Sequence, residues 1–231
     1  MEAESNGSES RATQQKSGEE NWSETPQFTK DWFIQTGRHN LEVLIPELKP
    51  RRVAEIGCFE GLCSFYLATK MSEYGPCELT CIDTWEGGFD NICVGEDMGE
   101  VERRFDHNIS VAKRRAGNNI NIVKLKGLSH LKLAELITEE GEGKYDFIYI
   151  DGSHESPDVL LDAVLAFKLL RPGGYLAFDD YLWSPVFENI PGGCDPLRTP
   201  KMAIDSFVNI YMRQLQIDTR FLGYQFYVRK R

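Results

Sequence analysis

The 231-residue chain lacks the sequence features of several protein classes. No apolar run approaches the length of a membrane-spanning helix, and the N-terminus is too polar for a signal peptide. We therefore expect no membrane partner and a cytoplasmic location. Basic residues form only short clusters, such as Arg103–Arg104 and Lys113–Arg115, in a chain of net charge −10. Because phosphate backbones are bound through extended positive surfaces, we expect no nucleic-acid partner.

The cysteines also lack the spacing of a metal site or a disulfide framework. They form no C-x-x-C pair, and no histidine cluster accompanies them. We expect no zinc and interpret them as free, mostly packing thiols in a reducing compartment. The six are Cys58, Cys63, Cys77, Cys81, Cys93 and Cys194.

The G-x-G-x-x-G spacing of nicotinamide enzymes is absent, because Gly57 and Gly61 enclose Cys-Phe-Glu. Tyr66 and Lys70 have the Tyr-x-x-x-Lys spacing of many short-chain reductases, but they fall in the helix predicted directly behind that turn. We take this spacing as coincidence. A nicotinamide oxidoreductase is therefore the least favoured enzyme interpretation.

The composition divides the chain into a tail and one domain. Residues 1–25 contain six glutamates against Arg11 and Lys16, with few apolar side chains. Such a segment cannot bury enough surface to offset its ordering entropy, so we expect a disordered acidic tail. Residues 26–231 have a globular composition and predict a single domain.

Strand-like and helix-like segments alternate along this domain, which predicts an α/β, Rossmann-like, doubly wound and mainly parallel sheet. A helical region over Asp31–Leu48 is expected to break near Gly37 and to end at Pro46. Two late strands separated only by Gly223 predict a C-terminal antiparallel hairpin and bring the sheet to seven strands. The predicted strands are Arg52–Ile56, Glu78–Ile82, Ile120–Leu125, Phe147–Ile150, Tyr175–Phe178, Gln216–Leu222 and Tyr224–Val228. The other predicted helices are Gly61–Met71, Val101–Arg115, His130–Ile137, Val159–Leu170 and Lys201–Arg213.

The first strand runs into a glycine turn, Gly57–Gly61, and then a helix. Glycine lets the backbone approach a ligand closely, and a helix N-terminus meets polar ligand groups. Asp83 ends the next strand, where an acid can accept both hydroxyls of a ribose. This combination favours a nucleoside-containing cofactor over a turn that needs glycine only for steric reasons.

Acidic residues end two strands that are neighbours in this topology. Asp151 follows one strand, and Asp179 and Asp180 follow the other. Adjacent strands lie about 4.8 Å apart, so the carboxylates can converge, and oxygen ligands favour a hard cation such as Mg²⁺. The alternative is that Asp179 or Asp180 caps a turn while Asp151 bonds backbone amides.

His154 follows Asp151 by three residues, which places both side chains on one side if the segment opens a helical turn. An imidazole can take a proton at neutral pH. On position alone, a loop histidine bonded to solvent is the simpler interpretation. His39 and His107 are expected at the surface.

Three stretches, VAEIGCFEG, CIDTW and LRPGGYLAFDDY, resemble motifs of class I S-adenosylmethionine-dependent methyltransferases over about residues 53–181. Together, EIGCFEG, DTW and DGSH are most similar to the metal-dependent O-methyltransferases that modify sugars of macrolide and aminocoumarin antibiotics. They are more distantly similar to the catechol type. The chain departs from that pattern after DTW, where Glu86-Gly87-Gly88-Phe89 stands, and this leaves the lid and the acceptor open.

The resemblance implies S-adenosylmethionine and Mg²⁺ or a similar divalent cation as cofactors, with His154 as the base and Asp151 as a second catalytic residue. It implies metal ligation by Asp151, Asp179 and Asp180. The implied cofactor contacts are Glu55, Gly57, Cys58, Gly61, Asp83, Thr84, Leu128, Ser129, His130 and Asp151.

The expected acceptor is a hydroxyl of a sugar, a glycosylated small molecule or a glycan. The alternatives are methylation of a catechol-like phenol and a non-catalytic nucleoside-binding module. The acceptor's identity, a homo-oligomeric state and the role of the tail stay open. Trp183 is expected either to stack on a sugar face or to pack in the core.

Overall fold

A seven-stranded sheet forms the centre of the structure, a computed structural model that describes residues 24–184 and 195–231. Its order is β3-β2-β1-β4-β5-β7-β6. The first five strands are parallel, and β7 pairs antiparallel with both β5 and β6. The predicted fold class is confirmed. The strands are β1 Arg52–Ile56, β2 Cys77–Asp83, β3 Ile120–Lys126, β4 Tyr145–Ile150, β5 Leu170–Phe178, β6 Leu215–Ile217 and β7 Phe226–Lys230.

Helices cover both faces of the sheet and enclose two apolar cores. On one face, α2, α3 and α5 pack against the sheet through Leu41, Leu67 and Phe105. On the other face, α6, α7 and α8 pack against it, with Leu133 from α6 and Phe207 from α8 in the core. The helices are α1 Trp32–Thr36, α2 Arg38–Leu48, α3 Leu62–Ser72, α4 Phe89–Val94, α5 Met98–Ala116, α6 Ser129–Glu140, α7 Ser156–Leu169 and α8 Pro200–Tyr211. Short 3₁₀ turns lie at Gly117–Asn119, Pro196–Arg198 and Thr219–Phe221.

The prediction that Pro46 ends a helix was wrong. Pro46 lies inside α2, which continues to Leu48 and ends with Lys49 in the left-handed conformation, φ 46°. Proline removes one helical hydrogen bond, but Pro46 is exposed, so water can satisfy the carbonyl that loses its partner. The predicted break near Gly37 is present and separates α1 from α2.

In the C-terminal hairpin, the first strand is shorter than predicted and the connection between the two strands is longer. β6 ends at Ile217, and a 3₁₀ turn at Thr219–Phe221 precedes β7, so Gly223 is only part of the connection. β7 lies inside the sheet between β5 and β6. The segment before α5 also contains an unpredicted helix, α4, and α5 begins at Met98 because Asp97 caps its first amides.

Several predictions concern the environment of particular residues. Cys58, Cys63, Cys77 and Cys81 are buried free thiols, as expected, and Cys93 is exposed. Cys194 and nearly all of the predicted acidic tail lie outside the described residues. Within residues 24–184 and 195–231, no helix is both long and apolar enough to cross a membrane.

Candidate functional site

The carboxyl ends of β1 and β4 meet where the strand order reverses, which is where doubly wound sheets bind ligands. The amide of Asp151 donates to the Ile56 carbonyl at 2.8 Å, and the amide of Gly57 donates to the Ile82 carbonyl at 2.8 Å. Gly57 has φ +82°, and a Cβ there would lie 1.8 Å from the Asp151 carbonyl oxygen. Only glycine therefore fits this first turn.

The Asp83 side chain organises the glycine turn from the end of β2. Its Oδ2 accepts the amides of Cys58 and Phe59 at 2.8 and 2.9 Å, and its Oδ1 accepts the Trp85 amide at 2.7 Å. Phe59 and Trp85 both have positive φ, 48° and 49°, and the Trp85 indole donates to the Phe59 carbonyl. The spacing did not predict this role, and the ribose contact of Asp83 stays a prediction. Thr84 is half-buried beside it.

Glu55 lies beneath the turn and is 1% exposed. Burial raises its pKa to about 8, and the Ser64 hydroxyl donates to it. Its carboxylate and the thiols of Cys58 and Cys81 lie within 4.8 Å of one another. Burial also raises the pKa of the Cys58 thiol, and all three side chains are buried in the core.

The predicted cofactor contacts Leu128, Ser129 and His130 lie at the start of α6. Leu128 is exposed, and Ser129 and His130 are half-buried. Gly61, another predicted cofactor contact, ends the glycine turn before α3 with φ +78°. Ser129 hydrogen-bonds the carboxyl of Asp162 on α7. Asp162 was not predicted, because a single acid among apolar residues of a helix resembles a solvent-facing position.

The acids that end β4 and β5 converge with His154. Asp151, His154 and Asp180 each present one possible ligand atom, and these atoms all lie within 4.8 Å of one another. His154 Nε2 and Asp180 Oδ2 are 3.0 Å apart. Residues 151–155 form a loop rather than a helical turn, since α7 begins only at Ser156. The side chains nevertheless meet as the spacing predicted.

The pKa values of Asp151, Asp179 and Asp180 are shifted in different directions. Burial, followed by the charges of Asp179 and Asp180, raises the pKa of Asp151 well above its usual range. Burial and the neighbouring Asp180 raise the pKa of Asp179 to about 7. Burial also opposes ionisation of Asp180, but His154 outweighs it and lowers the pKa of Asp180. Like charges are therefore concentrated beside one imidazole.

Tyrosine and glutamine side chains that sequence reasoning missed hold these acids. The Tyr149 hydroxyl donates to Asp179 Oδ1 at 2.6 Å, and Gln225 donates to the same oxygen. The Tyr224 hydroxyl donates to Asp180 Oδ1 at 3.1 Å. The one signal in the sequence that could have indicated this network is Gln225, a polar residue between the aromatic residues Tyr224 and Phe226.

Two ring systems have environments that the sequence did not settle. Trp183 is 7% exposed and packs on the His154 ring, with 4.0 Å between ring centroids and 40° between planes. His107 is buried, not at the surface as expected, because Nε2 donates to the Thr25 carbonyl at 2.9 Å. His39 is exposed, as expected.

Comparisons with known proteins agree with this geometry. Residues 54–181, more than half of the chain, match the family model described as a methyltransferase domain. A probable caffeoyl-CoA O-methyltransferase 3 from Dictyostelium discoideum is 28% identical over 165 residues, which are 71% of this chain and 57% of the relative. The chain spans little more than half the length of the first curated relatives that it matches.

Solved structures show the same fold at low identity. An O-methyltransferase from Bacillus cereus in complex with SAH has a TM-score of 0.57 at 21% identity, covering 83% of this chain and 79% of that one. The methyltransferase MycE of the mycinamycin pathway, in complex with Mg, SAH and mycinamycin VI, has a TM-score of 0.54 at 16% identity, covering 88% and 50%. The chain therefore belongs to the methyltransferase-domain family and has its Rossmann-like fold.

Proposed function

We propose that this protein is an S-adenosylmethionine-dependent, divalent-metal-dependent O-methyltransferase that acts on a hydroxyl of a small molecule. The carrying observation is that Asp151, His154 and Asp180 converge within 4.8 Å immediately beside the Gly57 turn. A proton acceptor and oxygen ligands thus lie next to the place where class I members bind their cofactor. The family match and the O-methyltransferase relatives support the same reaction.

The donor set fits a divalent cation. Asp151, Asp179 and Asp180 offer carboxylate oxygens, which hard cations prefer, and a cation relieves the repulsion that raises the pKa of Asp151. These three side chains would hold the ion. When bound, the cation supplies Lewis acidity that makes an acceptor hydroxyl more acidic and orients it.

S-adenosylmethionine supplies an activated methyl group on a positively charged sulfur. The protein has to align the acceptor oxygen behind that carbon, remove its proton and exclude water. We assign proton removal to the His154 imidazole, whose Nε2 donates to Asp180 Oδ2 at 3.0 Å, so that Nδ1 would take the proton. Trp183 packs on one side of the imidazole. Asp180 therefore orients the ring, and Trp183 shields one of its faces.

For the acceptor we propose a sugar hydroxyl on a glycosylated small molecule or a glycan. Asp180 stands at the third metal position, where the catechol type uses asparagine, and His154 stands where that type uses lysine. MycE, a neighbour by fold, is known in complex with mycinamycin VI. A phenol acceptor is the second candidate, because the curated relatives are named for caffeoyl-CoA.

The decisive experiment is calorimetric titration of S-adenosylhomocysteine into the purified protein, with Mg²⁺ and then with a chelator. Rhamnose, deoxysugar and catechol acceptors follow in both conditions. Cofactor binding with an acceptor signal only in Mg²⁺ supports the proposal, and the responding acceptor class decides between sugar and phenol. Absence of cofactor binding contradicts it. Cofactor binding without a binding signal from any acceptor favours the non-catalytic module.

The cytoplasmic location belongs to the same proposal. Four buried free thiols among the described residues are typical of a reducing compartment. Fractionation of cells that express the chain, followed by immunoblotting of the soluble and membrane fractions, tests this assignment. Recovery in a membrane or secreted fraction contradicts it.

A further inference from the structure

A buried hydrogen-bond network lies behind Asp179. The Tyr149 hydroxyl donates to Asp179 Oδ1 at 2.6 Å. The Gln225 amide nitrogen lies 2.5 Å from the Tyr149 hydroxyl and also donates to Asp179 Oδ1. Asn40 and Tyr227 each donate to Gln225 Oε1 at 2.8 Å. The network joins α2, β4, β7 and the end of β5.

The outer half of this network sets the direction of the Gln225 amide. Because Asn40 and Tyr227 both present donors to one end of it, that end has to be the carbonyl oxygen. The NH₂ group then has to face Asp179. Gln225 is 1% exposed, so water cannot replace these partners at low cost.

Both described side-chain hydrogen bonds to Asp179 reach the same oxygen, Oδ1. Oδ2 therefore has no side-chain hydrogen bond among the described residues, and Asp179 lines the same cleft as Asp151, His154 and Asp180. A carboxylate held through one oxygen has little rotational freedom. Its other oxygen is therefore presented in one direction.

Gly37 shows how tightly the network is enclosed. A Cβ at this position would lie 2.4 Å from Gln225 Nε2 and 2.8 Å from the Tyr149 hydroxyl. Gly37 joins α1 to α2, so the two helices close directly over the network. The glycine is needed because any side chain would displace the groups that hold Asp179.

We propose that Gln225 and Tyr149 are positioning residues that orient Asp179 for a divalent cation. This inference rests on the proposed metal-dependent function. Neither residue is among the proposed metal ligands, so each would act only through the Asp179 carboxylate. Residues that orient metal ligands in this way typically change metal affinity by about 10- to 100-fold when they are replaced.

The test measures Mn²⁺ affinity of the full chain by calorimetry and by the paramagnetic resonance signal of free Mn²⁺. Tyr149→Phe removes one hydroxyl, and Gln225→Leu removes the amide at similar volume. Tyr175→Phe is the matched control, because its hydroxyl also donates to a carboxylate, that of Asp218, but away from the cleft. S-adenosylhomocysteine affinity and Tm are measured for every variant.

We expect Tyr149→Phe and Gln225→Leu to weaken Mn²⁺ binding about 10- to 100-fold, with S-adenosylhomocysteine affinity within about twofold of wild type. Tyr175→Phe should bind Mn²⁺ like wild type. If Gln225→Leu does not fold, Tyr149→Phe alone decides the question. Wild-type Mn²⁺ affinity in a folded Tyr149→Phe overturns the positioning role and leaves the proposed function intact. A wild-type protein that binds no Mn²⁺ overturns the metal assignment itself.

Discussion

Gly57 and the carbonyl of Asp151 are so close that a β-carbon on Gly57 would lie 1.8 Å from that oxygen. The contact joins the turn after β1 to the loop that carries Asp151 and His154. The glycine turn and the acidic cluster are therefore one structural unit. A change that separates them should affect the cofactor and metal sites together.

Gly57→Ala should destabilise the fold and abolish S-adenosylhomocysteine binding. The added methyl group meets backbone atoms that cannot move independently, and φ +82° is itself unfavourable for alanine. We expect a loss of more than about 2 kcal/mol in the free energy of unfolding, measured by urea denaturation. Gly95→Ala is the control, since φ is +71° but no atom lies within 4 Å. Equal losses in the two variants would show that backbone strain, not contact with Asp151, explains the requirement.

His154→Ala should lower kcat by about 10²- to 10⁴-fold, the usual contribution of a positioned base. S-adenosylhomocysteine affinity should stay within about twofold of wild type, because the imidazole faces Asp180 and Trp183. His39→Ala, at an exposed position, is the control. Radiolabelled methyl transfer under saturating cofactor measures kcat, and unchanged turnover would remove His154 from the mechanism.

Asp179→Ala should abolish methyl transfer and its metal dependence together. The change removes a carboxylate that Tyr149 and Gln225 hold in place, and it leaves the buried Tyr149 hydroxyl without its acceptor. Activity is measured across a Mg²⁺ titration, beside Asp106→Ala, which removes an exposed carboxylate from a surface ion pair. A variant with full, Mg²⁺-dependent activity would contradict the proposed ligand role.

The sheet and the convergence of the acids follow from local patterns in the sequence. Each parallel strand is a short segment rich in apolar residues, and the residues immediately after β4 and β5, Asp151 and Asp179, share one edge of the sheet. Strand alternation and topology are enough to bring such residues together. Their positions were predictable because each depends on a strand end and one neighbouring strand.

The residues that hold the acids depend on contacts distant in sequence. Gln225 reaches Asp179 only because β7 inserts between β5 and β6, an order that hairpin spacing does not determine. Tyr149 resembles an ordinary core residue of β4, since periodicity does not show where a hydroxyl points. His107 is buried because the segment at Thr25 folds over α5. Such packing is a tertiary property, which local propensity cannot predict.

Asp162 makes the stability depend on pH. Burial raises its pKa to about 7 from an ordinary 3.8, and Oδ1 has no hydrogen-bond partner within residues 24–184 and 195–231. Below about pH 4 the carboxyl is protonated in both states, so its full contribution to stability is present there. As pH rises towards 7 the unfolded chain ionises first, and that contribution is lost, on the order of 3 to 4 kcal/mol in total.

Asp162→Asn cannot ionise, so the free energy of unfolding of the variant relative to wild type should increase between pH 4 and pH 8. Urea denaturation at five pH values across this range measures the difference. Thr138→Asn is the control, because Thr138 is exposed on α6 and the change alters no ionisable group, so its difference from wild type should be nearly constant. A constant difference for Asp162→Asn as well would mean that Asp162 is already ionised at pH 5 in the folded protein. The carboxylate would then have to be stabilised by the Ser129 hydroxyl at the start of α6, and the same variant would weaken that contact.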